Sequence, residues 1–158
     1  MNPSQVLLLA FLIGVIAGLR TMTAPVVVAW AANRHWLNLY QSPLALMGST
    51  AAVAVFTVLA LGELVVDKLP STPNRTKLLG LIGRSVLGGL SGAAVAASGT
   101  HSIAPGAVLG VAGAITGAFA GYKVRKRLVR ALKVPDFVIA LLEDAVAIAG
   151  GLLIVSRF

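Results

Sequence analysis

The sequence predicts an all-α, polytopic membrane helix bundle of about five transmembrane helices, the first of them kinked or broken. Three observations predict it. Hydrophobic residues are 58% of the 158 and charged residues only 11%, where soluble domains carry about 25% charged residues. The mean hydropathy is +0.92. Five stretches each approach the length of about 20 apolar residues that crosses a bilayer as a helix, and none alternates with the two-residue period of a barrel strand. This composition excludes a disordered chain and argues against a soluble globular enzyme. The length fits a single transmembrane domain over residues 1–158. There is no cysteine, so disulfides, Cys-based zinc sites and iron–sulfur clusters are ruled out.

The first stretch runs from about Gln5 to Asn33 and is interrupted between Gly18 and Pro25. As one helix it would be about 43 Å long, well over the ~30 Å hydrocarbon core. Pro25 removes the hydrogen bond to the Thr21 carbonyl and crowds it, and Gly18 adds local freedom. Two forms fit: a long kinked helix, or two halves that enter and leave on one side. The plain kinked helix is the simpler. The second stretch covers about Leu44 to Asp67, with Pro43 opening it and Pro70 beyond its end. The third covers about Leu78 to Ala97. The fourth covers about Pro105 to Tyr122 and continues as a basic helix to about Lys133. The fifth covers about Phe137 to Ser156.

Charges outside these stretches give orientation. Lys68, Arg75 and Lys77 follow the second; Lys123, Arg125, Lys126, Arg127, Arg130 and Lys133 follow the fourth. The remaining connections hold Arg34 and Arg157. The positive-inside rule then expects a multi-pass membrane protein with a cytoplasmic N-terminus and an external C-terminus. The net charge of +8 reports topology on this reading, and no nucleic-acid partner is expected. A cleaved signal peptide is not expected, because residues 1–5 carry no Lys or Arg and Arg20 interrupts the apolar run.

The chain carries a faint internal repeat of a two-helix unit. Arg20-Thr21 matches Arg84-Ser85, His35 matches His101, Pro43 matches Pro105 and Gly48 matches Gly110. Glycines 106, 110, 113, 117 and 121 fall on one helix face, and Gly14/Gly18 and Gly88/Gly92 repeat the spacing. Small residues at this spacing let helix backbones approach in lipid. With so few large side chains in the bundle, a homodimer is the preferred assembly.

The charges inside the stretches are the candidate site: Arg20 with its neighbour Thr21, Glu63, Arg84, Glu143 and Asp144, and Asp67 at an edge. Each charge costs about 2.5–3.5 kcal/mol at the membrane centre, so such groups face each other or water and mark polar pathways. Depth counted along the helices puts Glu63, Arg84 and Glu143 in one layer, with Arg20 deeper. Glu143 and Asp144 are adjacent and point about 100° apart, so they do not share one partner unless the bundle encloses them. The acids outnumber the arginines, which favours a bound cation or a held proton.

Other features are weaker. The polar loop Pro70 to Thr76 reads as a connection, with Arg75 and Thr76 as possible gate or phosphate contacts. Lys123, Lys126, Arg127, Arg130 and Lys133 fall mostly on one helical face and suit an anionic leaflet, so membrane lipids are expected partners. His35 and His101 lie without nearby carboxylates, and no metal or other cofactor is expected. There is no Gly-rich phosphate loop, His-Glu metal helix or nucleophile elbow. Ser85 and Ser91 have no histidine in a plausible position, so the protein is not expected to be an enzyme.

Three elements in order carry a family resemblance: Gly18-Leu19-Arg20, Gly62-Glu63 leading to Asp67-Lys68-Leu69-Pro70, and Leu142-Glu143-Asp144. Over about residues 14 to 150 the pattern resembles a bacterial family of small membrane proteins known as domain of unknown function 4126. The extended Asp-containing segment usual in that family is replaced here by the short Ser71 to Arg75 run. The resemblance implies that Arg20, Glu63, Asp67, Glu143 and Asp144 are recurrent polar positions, and implies no activity. Three functions remain open. One is a small transporter or channel-like protein whose charged cluster binds a cation, proton or small polar solute. Another is a protein that handles phospholipid or isoprenoid-phosphate headgroups. The last is a structural or assembly protein whose ion pairs lock the fold.

Overall fold

The computed structural model describes residues 1–66, 78–99 and 102–158. Every regular element among them is helical: α1 (Pro3–Leu19), α2 (Thr23–Asn33), α3 (Thr50–Val66), α4 (Leu78–Ser98), α5 (Ile103–Leu132) and α6 (Asp136–Val155), with a 3₁₀ turn at Ala45–Gly48. Of these, α4, α5 and α6 are long and apolar enough to cross a membrane, while α1 and α3 are shorter apolar helices.

The first predicted stretch is broken. Helix α1 stops at Leu19, and Arg20 is extended, with φ −138° and ψ 112°. Helix α2 restarts at Thr23, and its first α-helical bond runs from the Val26 N–H to the Met22 carbonyl at 3.1 Å. Pro25 therefore sits in the first turn, where a missing N–H leaves no bond unmade. The proline marks where a helix starts.

Direction follows from which residues meet. Gly150 of α6 packs on Ile16 of α1, and Gly151 packs on Val27 of α2. Asp144, two turns earlier on α6, reaches Arg20 at the break. Ile16 and Val27 thus lie at one height, on the same side of Arg20, and α2 folds back beside α1. The interrupted segment is a helical hairpin with its tip at Arg20–Met22. The other contacts agree. The Trp30 indole N–H donates to the Thr57 hydroxyl at 3.1 Å while Glu63 reaches Thr21, so α3 runs antiparallel to α2. Gly92 meets Gly106 and Gly88 meets Ala114, so α4 runs antiparallel to α5.

Of the two forms open to the first stretch, kinked or broken, the structure has the broken one. The start of α1 and the end of α6 share one end of the bundle; Lys123 to Lys133 lie at the other. The pairs α2–α3 and α4–α5 run in the same sense, as a two-helix repeat requires. Their starts differ. Pro105 lies in the first turn of α5, but Pro43 precedes the 3₁₀ turn and does not open α3. Ser49 does so, extended at φ −71° and ψ 149°, with its hydroxyl accepting the Ala52 N–H at 3.1 Å. Such a cap is worth about 1 kcal/mol.

The core is built from small residues. Ala10, Ala17, Ala94, Ala114, Ala118 and Ala147 are fully buried, whereas Val58, Leu61, Leu79, Val108 and Leu142 are exposed. Large apolar side chains on the outside suit a lipid solvent. A methyl group added at Gly14 would overlap the Gly110 carbonyl oxygen, one at Gly113 that of Phe11, and one at Gly92 that of Gly106. These backbone approaches permit weak Cα–H···O contacts of about 0.5–1 kcal/mol each. They join α1, α4 and α5 of one chain.

Candidate functional site

The hairpin tip exposes backbone polar groups inside the bundle. Thr21 and Met22 precede the first turn of α2, so their N–H groups have no partner within that helix. Glu63, on α3, supplies one. Its Oε1 accepts the Thr21 N–H at 2.8 Å and its Oε2 accepts the Met22 N–H at 2.8 Å. A carboxylate at a helix N-terminus also opposes the positive end of the helix dipole. Thr21, a candidate as the neighbour of Arg20, meets the cluster through its backbone N–H.

Arg20 is fully buried. Its Nη2 pairs with Asp144 Oδ1 of α6, whose side chain is 9% exposed. The extended backbone at Arg20 turns the side chain towards α6 while the next two amides face α3. Arg84 is also buried, and its Nη1 donates to the Gly80 carbonyl of its own helix at 3.3 Å. Since Gly88 packs near Ala17, Arg84, one turn back along α4, comes level with the hairpin tip. Arg20, Glu63, Arg84 and Asp144 therefore form one layer, about 10 Å in from the start of α4 and α6. Arg20 lies in this layer and not deeper than it, contrary to the expectation from depth along the helices.

Glu143 belongs to a neighbouring group. Its Oε2 lies 3.5 Å from Arg125 Nη1 on α5. Arg125 Nε donates to Asp136 Oδ1 at 2.9 Å, and its Nη2 bonds the other carboxylate oxygen, a two-point clamp. Adjacent Glu143 and Asp144 thus reach different arginines, as their angular separation requires. Arg125 and Asp136 were missed as site residues. The available signal was the seven-residue spacing from Asp136 to Glu143, which puts both acids on one face of α6 close to the α5–α6 turn. Asp67, His101 and the loop from Pro70 to Thr76 lie outside the described residues.

The arrangement holds Arg20, Arg84 and Arg125 against Glu63, Asp136, Glu143 and Asp144, with two backbone amides facing one of the acids. Among the described residues no three His, Cys, Asp or Glu side chains gather as a metal site.

A family model described as domain of unknown function (DUF4126) matches residues 7–156. The chain belongs to that family. The match includes both arms of the hairpin and every charged residue of the layer, in keeping with the short motifs around Arg20, Glu63 and Asp144. No curated protein and no solved structure matches this DUF4126 chain.

Proposed function

We propose that the protein is a small transporter or channel-like protein of the bacterial inner membrane, which passes a proton, cation or small polar solute through the layer at the hairpin tip. One observation carries this reading: the helix is interrupted inside the bundle, and the freed Thr21 and Met22 amides meet the Glu63 carboxylate. Irregular backbone at membrane depth is tolerated where protein buries it or where it lines a polar cavity. Discontinuous helices with ionisable groups at their tips are a recurring way to build such a site. Glu63 and Asp144 are the acids proposed to exchange partners, and Arg20 and Arg84 balance them. No catalytic step is assigned to the protein. The basic segment Lys123 to Lys133 lies at the end of the bundle opposite the chain ends, so the positive-inside rule supports both chain ends lying outside.

The test is flux in proteoliposomes. Vesicles loaded with a pH-reporting dye are placed under an imposed potential, and potassium, sodium and chloride currents are recorded in planar bilayers. Flux above protein-free membranes, lowered by E63Q and D144N, is the expected result. Absence of flux for protons and all three ions overturns the proton and ion reading, and flux indifferent to both variants overturns the assignment of the layer as its path. A structural role is the second reading, favoured by the direct pairing of Arg20 with Asp144; it predicts lost stability in the variants and no flux in the parent.

A further inference from the structure

Helix α5 is 30 residues long and outruns its neighbours. Gly88 meets Gly110 and Gly92 meets Gly106. Carrying that antiparallel register on at equal rise sets Leu78, the first residue of α4, opposite Ala120, about 3 Å along the helix before Tyr122. Leu78 and Leu79 are 75% and 84% exposed, as residues facing lipid would be. Tyrosine is enriched at membrane–water interfaces. Tyr122 therefore marks the bilayer edge, and Lys123 onward lies beyond it.

The angular order around α5 is as informative as the length. At about 100° per residue, Lys123, Lys126, Arg127 and Arg130 fall within an arc of about 100°. All four are exposed. Arg125 points about 150° away from the middle of that arc, towards Asp136 and Glu143 of α6. The glycine face that packs on α1 and α4 lies about 130° from it. The basic arc instead continues the side that presents Val108, Ile115 and Phe119, all exposed apolar residues. So the side that faces lipid inside the bilayer becomes basic where the bilayer ends. The chain has no acidic residue between Asp67 and Asp136, so nothing on α5 neutralises the arc.

We propose that Lys123, Lys126, Arg127 and Arg130 form a binding face for the headgroups of anionic phospholipids in the adjacent leaflet. The dimensions fit. Lys123 to Arg127 covers about 6 Å along the helix, close to the headgroup layer of roughly 5–7 Å on each side of a bilayer, and Arg130, about 10 Å from Lys123, lies just beyond it with a side chain long enough to reach back. Lys126 also lies over Tyr122, its Nζ 5.9 Å from the ring centroid, beside the membrane edge. Because α5 continues straight through the edge, it meets the headgroups as an upright post and does not lie flat along the leaflet. The ion clamp at Arg125 ties the other side of the post to α6. This proposal is independent of what, if anything, passes through the bundle.

The test is lipid selectivity measured by electron spin resonance, with the protein reconstituted in phosphatidylcholine and probed with spin-labelled phosphatidylglycerol or phosphatidylcholine. The native protein is expected to favour phosphatidylglycerol on the order of fivefold per engaged charge at low salt, with the preference shrinking as salt is raised. K123Q/K126Q/R127Q/R130Q should bring selectivity close to one, and K126Q/R130Q should give an intermediate value. The conservative set K123R/K126R/R127K/R130K, and R34Q/R157Q at the other end, should keep the native value. Helicity by circular dichroism, matched to the native protein, shows that each variant is folded. No selectivity in the native protein overturns the proposal. So does selectivity that survives the four-glutamine variant, or that R34Q/R157Q abolishes.

Discussion

Glu63 accepts the backbone N–H of Thr21 at 2.8 Å across 42 positions of sequence. With the matching bond to Met22, this one carboxylate closes the N-terminal end of α2 and fixes α3 to the hairpin tip. Removing it leaves two part-buried donors without their acceptor, each costing up to about 1–3 kcal/mol when left unsatisfied. E63A is therefore expected to destabilise the protein by up to about 2–6 kcal/mol. E63Q keeps one acceptor but turns an NH₂ towards the second amide, so it should fall between native and E63A. Unfolding in a detergent series, followed by circular dichroism, checks the order; E63A as stable as the native protein would show that the amide contacts contribute nothing.

Arg20 and Asp144 form a buried ion pair, with the Arg20 side chain fully buried. Breaking such a pair from one side leaves a charge without compensation, at about 3–5 kcal/mol. R20M and D144L should each lose about that much, and the double variant R20M/D144L should recover most of it. The double-mutant cycle measures the coupling directly. Strict additivity of the two losses would mean that the pair makes no net contribution. Flux, if present, should fall in the double variant even where stability returns.

Much of the fold is readable from the residues, for reasons that also explain the misses. Five apolar stretches and the interruption at Gly18 to Pro25 are visible because burial in lipid demands long apolar runs and proline breaks them. The direction of α2 is not visible, since a run that turns back has the same composition as one that crosses. Its reversal is held by contacts remote in sequence, Gly151 with Val27 and Glu63 with Thr21. The polar residues were identifiable by the cost of placing them in lipid, but their partners were not. Arg125 reads as part of a topological charge cluster until the turn at Lys133, left-handed at φ 53°, brings Asp136 beside it. Likewise the glycine stripe on α5 was legible, but not that α1 and α4 of the same chain fill it.

That stripe makes a sharp contrast among glycines. A Cβ at Gly14, Gly110 or Gly113 would run into a backbone carbonyl of a neighbouring helix, whereas one at Gly62 or Gly83 would meet nothing within 4 Å. G14A, G110A and G113A should each cost about 1–3 kcal/mol by forcing helices apart. G62A and G83A should be neutral or stabilising by up to about 1 kcal/mol, since alanine is the better helix former. Thermal unfolding of the five variants in one detergent decides it; five equal effects would contradict the packing of α1, α4 and α5.

The hairpin itself is open to a chemical test, because the chain has no cysteine. Asn2, Lys133 and Ser156 are exposed and lie outside the charged layer. If α1 and α2 fold back on each other, N2C and S156C lie at one end of the bundle and K133C at the other. A membrane-impermeant maleimide applied to intact spheroplasts should then label N2C and S156C together, and K133C only after permeabilisation. The positive-inside rule sets which pair reacts first; the hairpin alone requires that N2C and S156C react alike. A single kinked crossing in place of the hairpin puts N2C and S156C on opposite sides, so labelling of one without the other refutes the reversal at Arg20. The same variants with E63A added ask whether the carboxylate at the tip is needed to keep α2 turned back. Retained co-labelling would assign the reversal to the packing of Gly150 on Ile16 and Gly151 on Val27, and loss of it would assign the reversal to Glu63.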